Sequence, residues 1–477
     1  MNKQESLNFI EEKKELVFGI SHKIWEYAET SLKEYKSADL YKQALAEEGF
    51  AVEDCLCGID TAFSGSYGSG KPVIGILAEF DALSGLSQKA FCIERSEIVP
   101  GGNGHGCGHN MLGAASFGAA LGIKHYLEEN NVQGTVIFFG CPGEEGGASK
   151  ALLAREGVWN KLDAALTWHP GDANEVSSGT CNSCVQAIYS FKGIAAHAAG
   201  DPENGRSALD ALELMNVGVQ FLREHVKSDA RIHYSILNAG GISPNVVQPT
   251  ADVLYMIRSN KVKDVLELEK RVDKIAEGAA MMTETEMHKT FVDGCSDTKY
   301  NTVLQKLLYK NMSEIPCPQY SEEELEFARK IKETYRSSHT LPGFGAEHDT
   351  AIADWVKDSS NNGTSVMNGF VIPLYTGYHF SPGSTDVGDV SYNAPTAQFD
   401  VVTWPSECPG HSWQNVSCGN SSIGDKGLLY AAKVLCGAAI DLLTDSNLVE
   451  SAKSEFAATR EDYFCPVPKG ARLYVIG

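Results

Sequence analysis

The sequence is poor in basic residues and has no long uninterrupted apolar run. Lys and Arg number 40 against 62 Asp and Glu, which gives a formal net charge of −22. Because phosphate backbones are bound by clustered cations, this balance argues against nucleic-acid binding. The chain starts with a charged segment, and its most apolar stretch, 427–443, is interrupted by Lys433 and Asp441. That stretch predicts a core helix rather than a membrane span, and we expect a soluble, cytoplasmic protein.

The sequence also has no internal repeat and no low-complexity tract, and its number of cysteines is odd. The 13 cysteines and the expected cytoplasmic location predict reduced thiols rather than a disulfide framework. Cys181 and Cys184 have the spacing of a redox motif, but they stand alone, and we expect two ordinary thiols. At 477 residues the chain is too long for a single core, so two domains are expected.

The apolar pattern predicts an α/β fold interrupted by an inserted domain. Short apolar strands at 73–78, 135–139 and 164–168 alternate with helical segments, which is typical of a parallel sheet. Between 185 and 297 the order becomes strand–helix–strand–strand–helix–strand, which predicts a ferredoxin-like domain. Residues 1–184 and 298–477 would then form one discontinuous domain. The pattern also predicts a single helix over 7–28.

Side chains of metal-binding type accompany three predicted strand ends. Asp81, Glu144–Glu145 and His169 each lie at or just after such an end, while Cys107 and His109 lie in a glycine-rich loop before a helix. In open α/β sheets, sites form outside the carboxyl ends of the strands. Thiolate, imidazole and carboxylate are the side chains that hold Zn²⁺ or a similar ion. The sequence therefore predicts a metal-dependent amide hydrolase.

Each signal has an ordinary explanation when it is taken alone. A Cys-x-His pair is often incidental, adjacent glutamates usually lie on a solvated face, and a histidine at a strand end can be satisfied structurally. A structural zinc site with four closed protein ligands and no catalysis is a further alternative. The convergence of three strand ends favours a functional centre.

Four short motifs carry a family resemblance: Gly-Cys-Gly-His at 106–109, Pro-Gly-Glu-Glu-Gly at 142–146, Trp-His-Pro at 168–170 and Ala-Ala-His-Ala at 195–198. Together they resemble the M20 metallopeptidases, in the branch that uses a Cys-x-His ligand pair. Longer motifs resemble the aminobenzoyl-glutamate-hydrolysing group of that family. They lie at 103–110, 191–199, 240–248, 384–391 and 465–469.

The resemblance implies a centre with two divalent ions, Mn²⁺ or Zn²⁺. The ligands that it implies are Cys107, His109, Glu145, His169 and His411. Cys107 would bridge the two ions. His109 would compensate for a histidine that other branches place where this chain has Glu79, and Asp81 would support the centre from behind.

The resemblance also implies the catalytic groups and the reaction. Glu144 would be the general base, and His197 would stabilise the oxyanion from the inserted domain, reaching a neighbouring subunit's site. Asn245 and Arg258 would bind the substrate carbonyl and carboxylate. The expected substrate is an N-acyl amino acid, with p-aminobenzoyl-glutamate as the leading candidate and other N-acyl amino acids or dipeptides as alternatives.

Assembly and several residue roles are left open. A homodimer through the inserted domain and a heteromer with a similar subunit are both expected possibilities. A catalytically silent or partner-dependent subunit is a further alternative, although the intact base Glu144 speaks against it. His105 is expected to pack its loop. The pattern assigns no role to a remaining group of residues: Asp386, Asp389, His348 and His379.

Overall fold

The computed structural model describes residues 2–474 and divides into two compact units. The first unit comprises the chain up to Gly179, Lys299–His379 and Val390–Asp462. The second comprises Thr180–Thr298, Phe380–Asp389 and the segment from Tyr463 onward. The insertion predicted at 185–297 lies within the second unit. That unit also contains Phe380–Asp389 and the segment from Tyr463 onward, which the sequence pattern placed in the discontinuous domain.

The strands of the described chain form three sheets. They are β1 (Ala51–Glu53), β2 (Phe63–Ser69), β3 (Val73–Ala78), β4 (Gly134–Gly140), β5 (Ala164–Gly171), β6 (Glu175–Val176), β7 (Thr180–Cys181), β8 (Ser183–Lys192), β9 (Arg231–Asn238), β10 (Thr250–Ser259), β11 (Glu286–Cys295), β12 (Phe380–Ser381) and β13 (Thr396–Val402).

The α-helices of the described chain are distributed over both units. They are α1 (Lys3–Glu12), α2 (Lys14–Tyr27), α3 (Tyr35–Glu47), α4 (His109–Asn130), α5 (Ser149–Arg155), α6 (Ala208–Leu222), α7 (Val262–Thr283), α8 (Thr302–Glu314), α9 (Glu322–Lys332), α10 (Gly345–His348), α11 (Thr350–Ser359), α12 (Val387–Ser391), α13 (Trp413–Gly419), α14 (Ser422–Thr444) and α15 (Ser446–Ala458).

The first unit is built on a seven-stranded mixed sheet in the order β1-β2-β4-β3-β5-β13-β6. Its four central strands, β4, β3, β5 and β13, are parallel to one another. Antiparallel strands close both edges, β2 and β1 on one side and β6 on the other. The central strands are apolar and mostly buried because helices cover them. Because these four strands are parallel, their carboxyl ends lie side by side at the same end of the sheet.

Helices α4 and α14 form the centre of the helical layer in the first unit. Small residues allow a close approach: a Cβ at Gly118 would lie 3.3 Å from Cβ of Ala432. Within the described residues, α14 is the one helix long and apolar enough to cross a membrane, and 78% of its most apolar window is buried inside the protein. It packs as a core helix, as its interruption by charged residues predicted.

The second unit contains a four-stranded antiparallel sheet in the order β11-β8-β10-β9. Along the chain its elements follow the predicted strand–helix–strand–strand–helix–strand order. In β10 every second residue from Ala251 to Ser259 is buried, because α6 and α7 cover one face of the sheet. Strand β9 forms one edge.

One predicted element is wrong in its continuity. The segment 7–28 is two helices, α1 and α2, interrupted at Lys13, whose φ of −88° and ψ of 2° lie outside the helical region. The apolar spacing continues across the break. The pattern alone therefore could not reveal the break.

Candidate metal centre and active site

The side chains of the predicted centre lie beyond the carboxyl ends of the four neighbouring parallel strands. Asp81 follows β3, Glu144 and Glu145 follow β4, and His169 lies near the end of β5. His109 is the first residue of α4. The loop after β13 carries the remaining predicted ligand, His411, whose backbone φ of 51° is left-handed. Such a conformation in a non-glycine residue is often maintained at a functional site.

Two glycines allow the ligand-bearing turns to close. Gly108 separates Cys107 from His109, has a φ of 78°, and a Cβ there would lie 2.9 Å from Cε of Met111 and 3.0 Å from Cβ of Pro170. Gly143, with a φ of 68°, precedes the glutamate pair. Both turns need a left-handed backbone that side chains with a Cβ adopt only at a cost.

The predicted ligands of the first unit converge. Sγ of Cys107 lies 3.3 Å from Nε2 of His169. Nε2 of His411 lies 3.4 Å from Oε1 of Glu145. These spacings are those of two ligand atoms bound to one ion, because bonds of about 2.0–2.3 Å at angles between about 90° and 109° separate the atoms by roughly 3.0–3.6 Å.

The same atoms fall into overlapping three-residue groups with all ligand atoms within 4.8 Å of one another. The groups are Cys107–His109–His169, Cys107–Glu145–His411 and Glu79–His109–Glu144. Cys107 is shared by the first two groups. The bridging role that the family resemblance implies for Cys107 stays a prediction, and its place in two groups is compatible with that role.

His109 and His169 both turn Nε2 towards the centre. Nδ1 of His109 lies 2.8 Å from the Asp81 carboxylate, and Nδ1 of His169 lies 2.8 Å from the Pro170 carbonyl oxygen. These oxygens only accept, so each Nδ1 donates, and Nε2 is the ring atom available to the centre. Burial opposes protonation of His109, but Cys107 and Asp81 raise its pKa well above the ordinary value, so a cation that binds Nε2 displaces a proton. Outward donation of this kind orients metal-binding histidines and increases their basicity.

Asp81 connects three parts of the site. One oxygen accepts from His109, and the other accepts from the Ser31 hydroxyl at 2.7 Å and from the Glu145 backbone N–H at 3.0 Å. Burial by itself would raise the pKa of Asp81, but the contact with His109 and the other donors lower that pKa to about 2. Asp81 is therefore ionised at neutral pH.

The donor set fits a divalent cation. Nε2 of His109 and Oε1 of Glu145 are buried and have no hydrogen-bond partner among residues 2–474. Burial, with His109 nearby, lowers the pKa of His169 to about 4, so this imidazole is neutral and able to bind a metal. Burial and the charge of Glu145 raise the pKa of the Cys107 thiol, and a bound cation reverses that preference because it stabilises the thiolate.

Sequence reasoning missed two side chains that help to build the site. Lys150, in α5, donates to Oε1 of Glu79 at 2.7 Å, and both side chains are buried. Glu34 accepts the Gly143 backbone N–H at 2.9 Å and thereby holds the turn before the glutamate pair. A lysine directly before the buried apolar run Ala151–Leu153 was an available signal for Lys150. Glu34 gave no comparable signal.

The predicted lid residues all lie in the second unit. His197 is exposed, and its Nδ1 accepts from the backbone N–H of Gly200 at 3.1 Å. His197 pairs with Val246, and Ala198 donates to the Asn245 carbonyl at 3.0 Å. His197 and Asn245 therefore lie close together, beyond the ends of β8 and β10. Arg258 lies at the opposite end of β10.

Other residues considered in the sequence have defined contacts. Nε2 of His105 lies 3.0 Å from the Ile24 carbonyl oxygen, which fits the expected packing role. Asp389 accepts from Ser296 and from the Tyr463 hydroxyl within the second unit. It is thus a structural anchor for two segments of that unit.

Two further pairs of side chains lie close together, one pair in each unit. Nε2 of His348 lies 3.0 Å from Nδ1 of His379 on the surface of the first unit. Sγ of Cys184 lies 3.4 Å from Sγ of Cys295 in the second, both as free thiols.

The chain is similar in sequence to known hydrolases over nearly its whole length. One subunit of the p-aminobenzoyl-glutamate hydrolase of Escherichia coli (strain K12) is 44% identical over 462 residues, which cover 94% of each chain. The mouse Xaa-Arg dipeptidase is 24% identical over 469 residues, covering 95% of this chain and 92% of the dipeptidase.

A solved structure shows the same fold. It is a dinuclear metal binding peptidase of the M20 family from Bacillus subtilis, with a TM-score of 0.54, 16% identity and coverage of 91% of this chain and 99% of its own. Residues 76–410 match Peptidase family M20/M25/M40. This match and the 44% identity show that the chain belongs to the M20/M25/M40 peptidase family.

Proposed function

We propose that the protein is a metal-dependent amidohydrolase that cleaves p-aminobenzoyl-glutamate or a related N-acyl amino acid. The observation that carries the proposal is the convergence of Cys107, His109, His169, Glu145 and His411, with Glu144 beside them. The substrate is inferred from the 44% identical relative, whose name states that activity. Membership of a peptidase family supports hydrolysis of an amide bond. The likeness to a dipeptidase over 95% of the chain supports dipeptides as the alternative substrate class.

We propose two divalent cations, Mn²⁺ or Zn²⁺, as the cofactor. When bound, they would polarise the scissile carbonyl and lower the pKa of a water molecule. The thiolate of Cys107 favours zinc because it is a soft ligand, whereas the family resemblance favours manganese.

Glu144 is the proposed general base. Its Oε2 lies 4.0 Å from Nε2 of His109, and its side chain is partly buried at the edge of the centre. It would take a proton from the attacking water and deliver it to the departing amine nitrogen. Neighbouring Glu145, by contrast, is positioned as a ligand because its Oε1 faces His411.

The second unit is proposed to be a ferredoxin-like lid that supplies His197, Asn245 and Arg258. The length of β10 separates the His197–Asn245 pair from Arg258. Arg258 is eight residues from Thr250, where β10 begins. Because a strand rises about 3.3 Å per residue, the separation is roughly 26 Å. One small substrate cannot contact both ends of that strand. Within a single chain, Arg258 and the His197–Asn245 pair therefore cannot serve the same substrate.

A homodimer accommodates this separation, because each protomer would give His197 and Asn245 to its partner's substrate. The second unit has a suitable surface. Edge strand β9 and helix α6 expose apolar side chains, among them Ile236 at 42%, Val217 at 50% and Phe221 at 72%. An unpaired edge next to such a patch is typical of an interface. A heteromer is the alternative, since the 44% identical relative is named as a subunit. We propose a cytoplasmic location for either assembly.

The test is hydrolysis of p-aminobenzoyl-glutamate and of a panel of N-acyl amino acids and dipeptides by the purified protein with added Mn²⁺ or Zn²⁺. Glu144→Gln should lower kcat by about 100- to 10,000-fold, the usual contribution of a general base, while metal content stays unchanged. Glu128→Gln is the matched control, because Glu128 is a surface residue of α4 paired with Lys124. Turnover that survives Glu144→Gln would exclude the proposed base. A wild-type protein that is inactive alone but active with a partner would support the partner-dependent alternative.

A further inference from the structure

Glu79 and Lys150 form a buried ion pair directly behind the metal centre. The ammonium of Lys150 lies 2.7 Å from Oε1 of Glu79, and the side chains are 0% and 3% exposed, respectively. The ammonium of Lys150 therefore holds one carboxylate oxygen of Glu79.

Stability alone does not account for this pair. Removing two charges from water costs several kcal/mol per ion, and well-packed apolar residues in the same place are often as stable. Here Lys150 emerges from α5, whose neighbouring residues Ala151, Leu152 and Leu153 are buried and apolar. An apolar side chain would suit that helix. The retained pair therefore points to a task for the carboxylate.

The second oxygen of Glu79 faces the metal centre. Its Oε2 lies 3.3 Å from Nε2 of His109. Nδ1 of His109 donates to Asp81, and its buried Nε2 has no hydrogen-bond partner among residues 2–474. Oε2 of Glu79 and Nε2 of His109 belong to a group of ligand atoms that lie within 4.8 Å of one another. The two atoms are therefore placed to share one cation.

The spacing is also that of two ligands on one ion. Bonds of about 2.1 Å at angles between about 90° and 109° separate nitrogen and oxygen by roughly 3.0–3.4 Å. The observed 3.3 Å falls within that range. Lys150 occupies the other oxygen and leaves only Oε2 available, so Glu79 can bind through a single oxygen.

We infer that Glu79 supplies a sixth protein ligand, Oε2, to the cation held by Nε2 of His109, and that Lys150 is the positioning residue that fixes this carboxylate. The inference deepens the proposed metal centre and rests on it. It adds to the five ligands implied by the family resemblance, which treats the position of Glu79 as one where a ligand has been lost.

The test measures ion binding rather than turnover. Glu79→Gln alone would leave Lys150 buried without its counter-charge, so the main variant combines Glu79→Gln with Lys150→Met and removes both charges. Glu79→Asp is the second variant; it keeps the pair of charges but retracts the carboxylate by about 1.5 Å. Glu324→Gln is the matched control, because Glu324 is a buried glutamate 2.6 Å from Lys426 and lies outside the cluster of predicted ligands. Thermal unfolding in EDTA confirms that each variant is folded.

Zn²⁺ and Mn²⁺ affinities are then measured by competition with a chromophoric chelator, and the Co²⁺ absorption spectrum reports coordination. Loss of a direct ligand should weaken one ion by more than about 100-fold, beyond the 10- to 100-fold that supporting residues contribute. It should also change the Co²⁺ spectrum, with the control unchanged. Wild-type affinity and spectrum in both Glu79 variants would overturn the inference and leave the pair structural. That result would leave the amidohydrolase proposal intact, because wild-type hydrolysis and Glu144→Gln test it separately.

Discussion

At the scale of single residues, Asp81 has the largest influence on the geometry of the centre. It fixes the ring of His109, accepts from Ser31 and accepts the backbone N–H of Glu145. Its position three residues after the end of β3 made it a candidate in the sequence. Its three partners come from segments far apart in the chain, so their identity could be known only after folding.

The pKa of Asp81 makes a pH prediction for the metal-free protein. Its ordinary pKa of 3.8 is lowered to about 2 in the folded state, so the folded protein binds fewer protons than the unfolded chain between these values. The stabilisation, about 2 kcal/mol, is fully present above pH 4 and is lost as the pH falls through 2. Urea unfolding in EDTA between pH 2 and 6 measures it.

The comparison for this prediction is Asp81→Asn, which removes the titrating group. The difference in unfolding free energy between wild type and Asp81→Asn should shrink towards low pH. A difference that stays constant from pH 6 to pH 2 would show that the carboxylate charge contributes nothing.

Lys150 shows where prediction from single residues ends. The sequence places a lysine next to the apolar run Ala151–Leu153, but it does not show which carboxylate the lysine contacts. The same limit applies to Glu34, whose contact with Gly143 spans 109 residues. Both contacts depend on how helices pack against the strand ends.

At the scale of elements, the turn that joins Cys107 to α4 decides whether the two ligands face one ion. Glycine at 108 gives the backbone the left-handed conformation and leaves room for Pro170. The helix starts at His109 itself, whereas the sequence pattern placed His109 in the loop before the helix. The apolar spacing begins only after the ligand, so the pattern located the helix and missed its first turn.

Gly108→Ala tests this element. A left-handed alanine costs roughly 1–2 kcal/mol, and the new Cβ would press on Met111 and Pro170 at 2.9–3.0 Å, which adds about 1–3 kcal/mol. The variant should therefore lose more stability than backbone strain explains, and it should bind Zn²⁺ more weakly because His109 is displaced.

Gly101→Ala is the matched control for Gly108→Ala. Its φ of 67° carries the same backbone cost, but nothing lies within 4 Å of its Cβ position. Equal losses of stability and of metal affinity in the two variants would contradict the role assigned to the Gly108 turn.

At the scale of the whole molecule, the proposed dimer explains why lid residues lie at both ends of β10. Glu144→Gln and His197→Ala should each be nearly inactive alone. When the two variants are co-expressed, half of the dimers are mixed, and each mixed dimer has one complete site, so about a quarter of wild-type activity should return. Activity assays on the purified mixture measure this recovery.

A second mixture controls for unspecific recovery. Here the Glu144→Gln chain is co-expressed with a Cys107→Ala chain. Both substitutions alter the metal centre of the first unit, so each protomer of a mixed dimer has a defective centre and activity should remain absent. If the first mixture also stays inactive while size-exclusion chromatography shows mixed dimers, His197 acts within its own chain.

The amino-acid sequence by itself determined the α/β class, the order of elements in the insertion and the candidate ligands at the strand ends and in the glycine-rich loop, whereas His411 was implied by the family resemblance. It could do so because apolar periodicity and glycine-flanked polar residues are local signals, and parallel strands must end at a common edge. Tertiary structure decided which side chains meet: the pair of Glu79 and Lys150, the three partners of Asp81, and the separation of His197 from Arg258. Those contacts join distant segments through packing, and no local pattern in the chain encodes the distance between them.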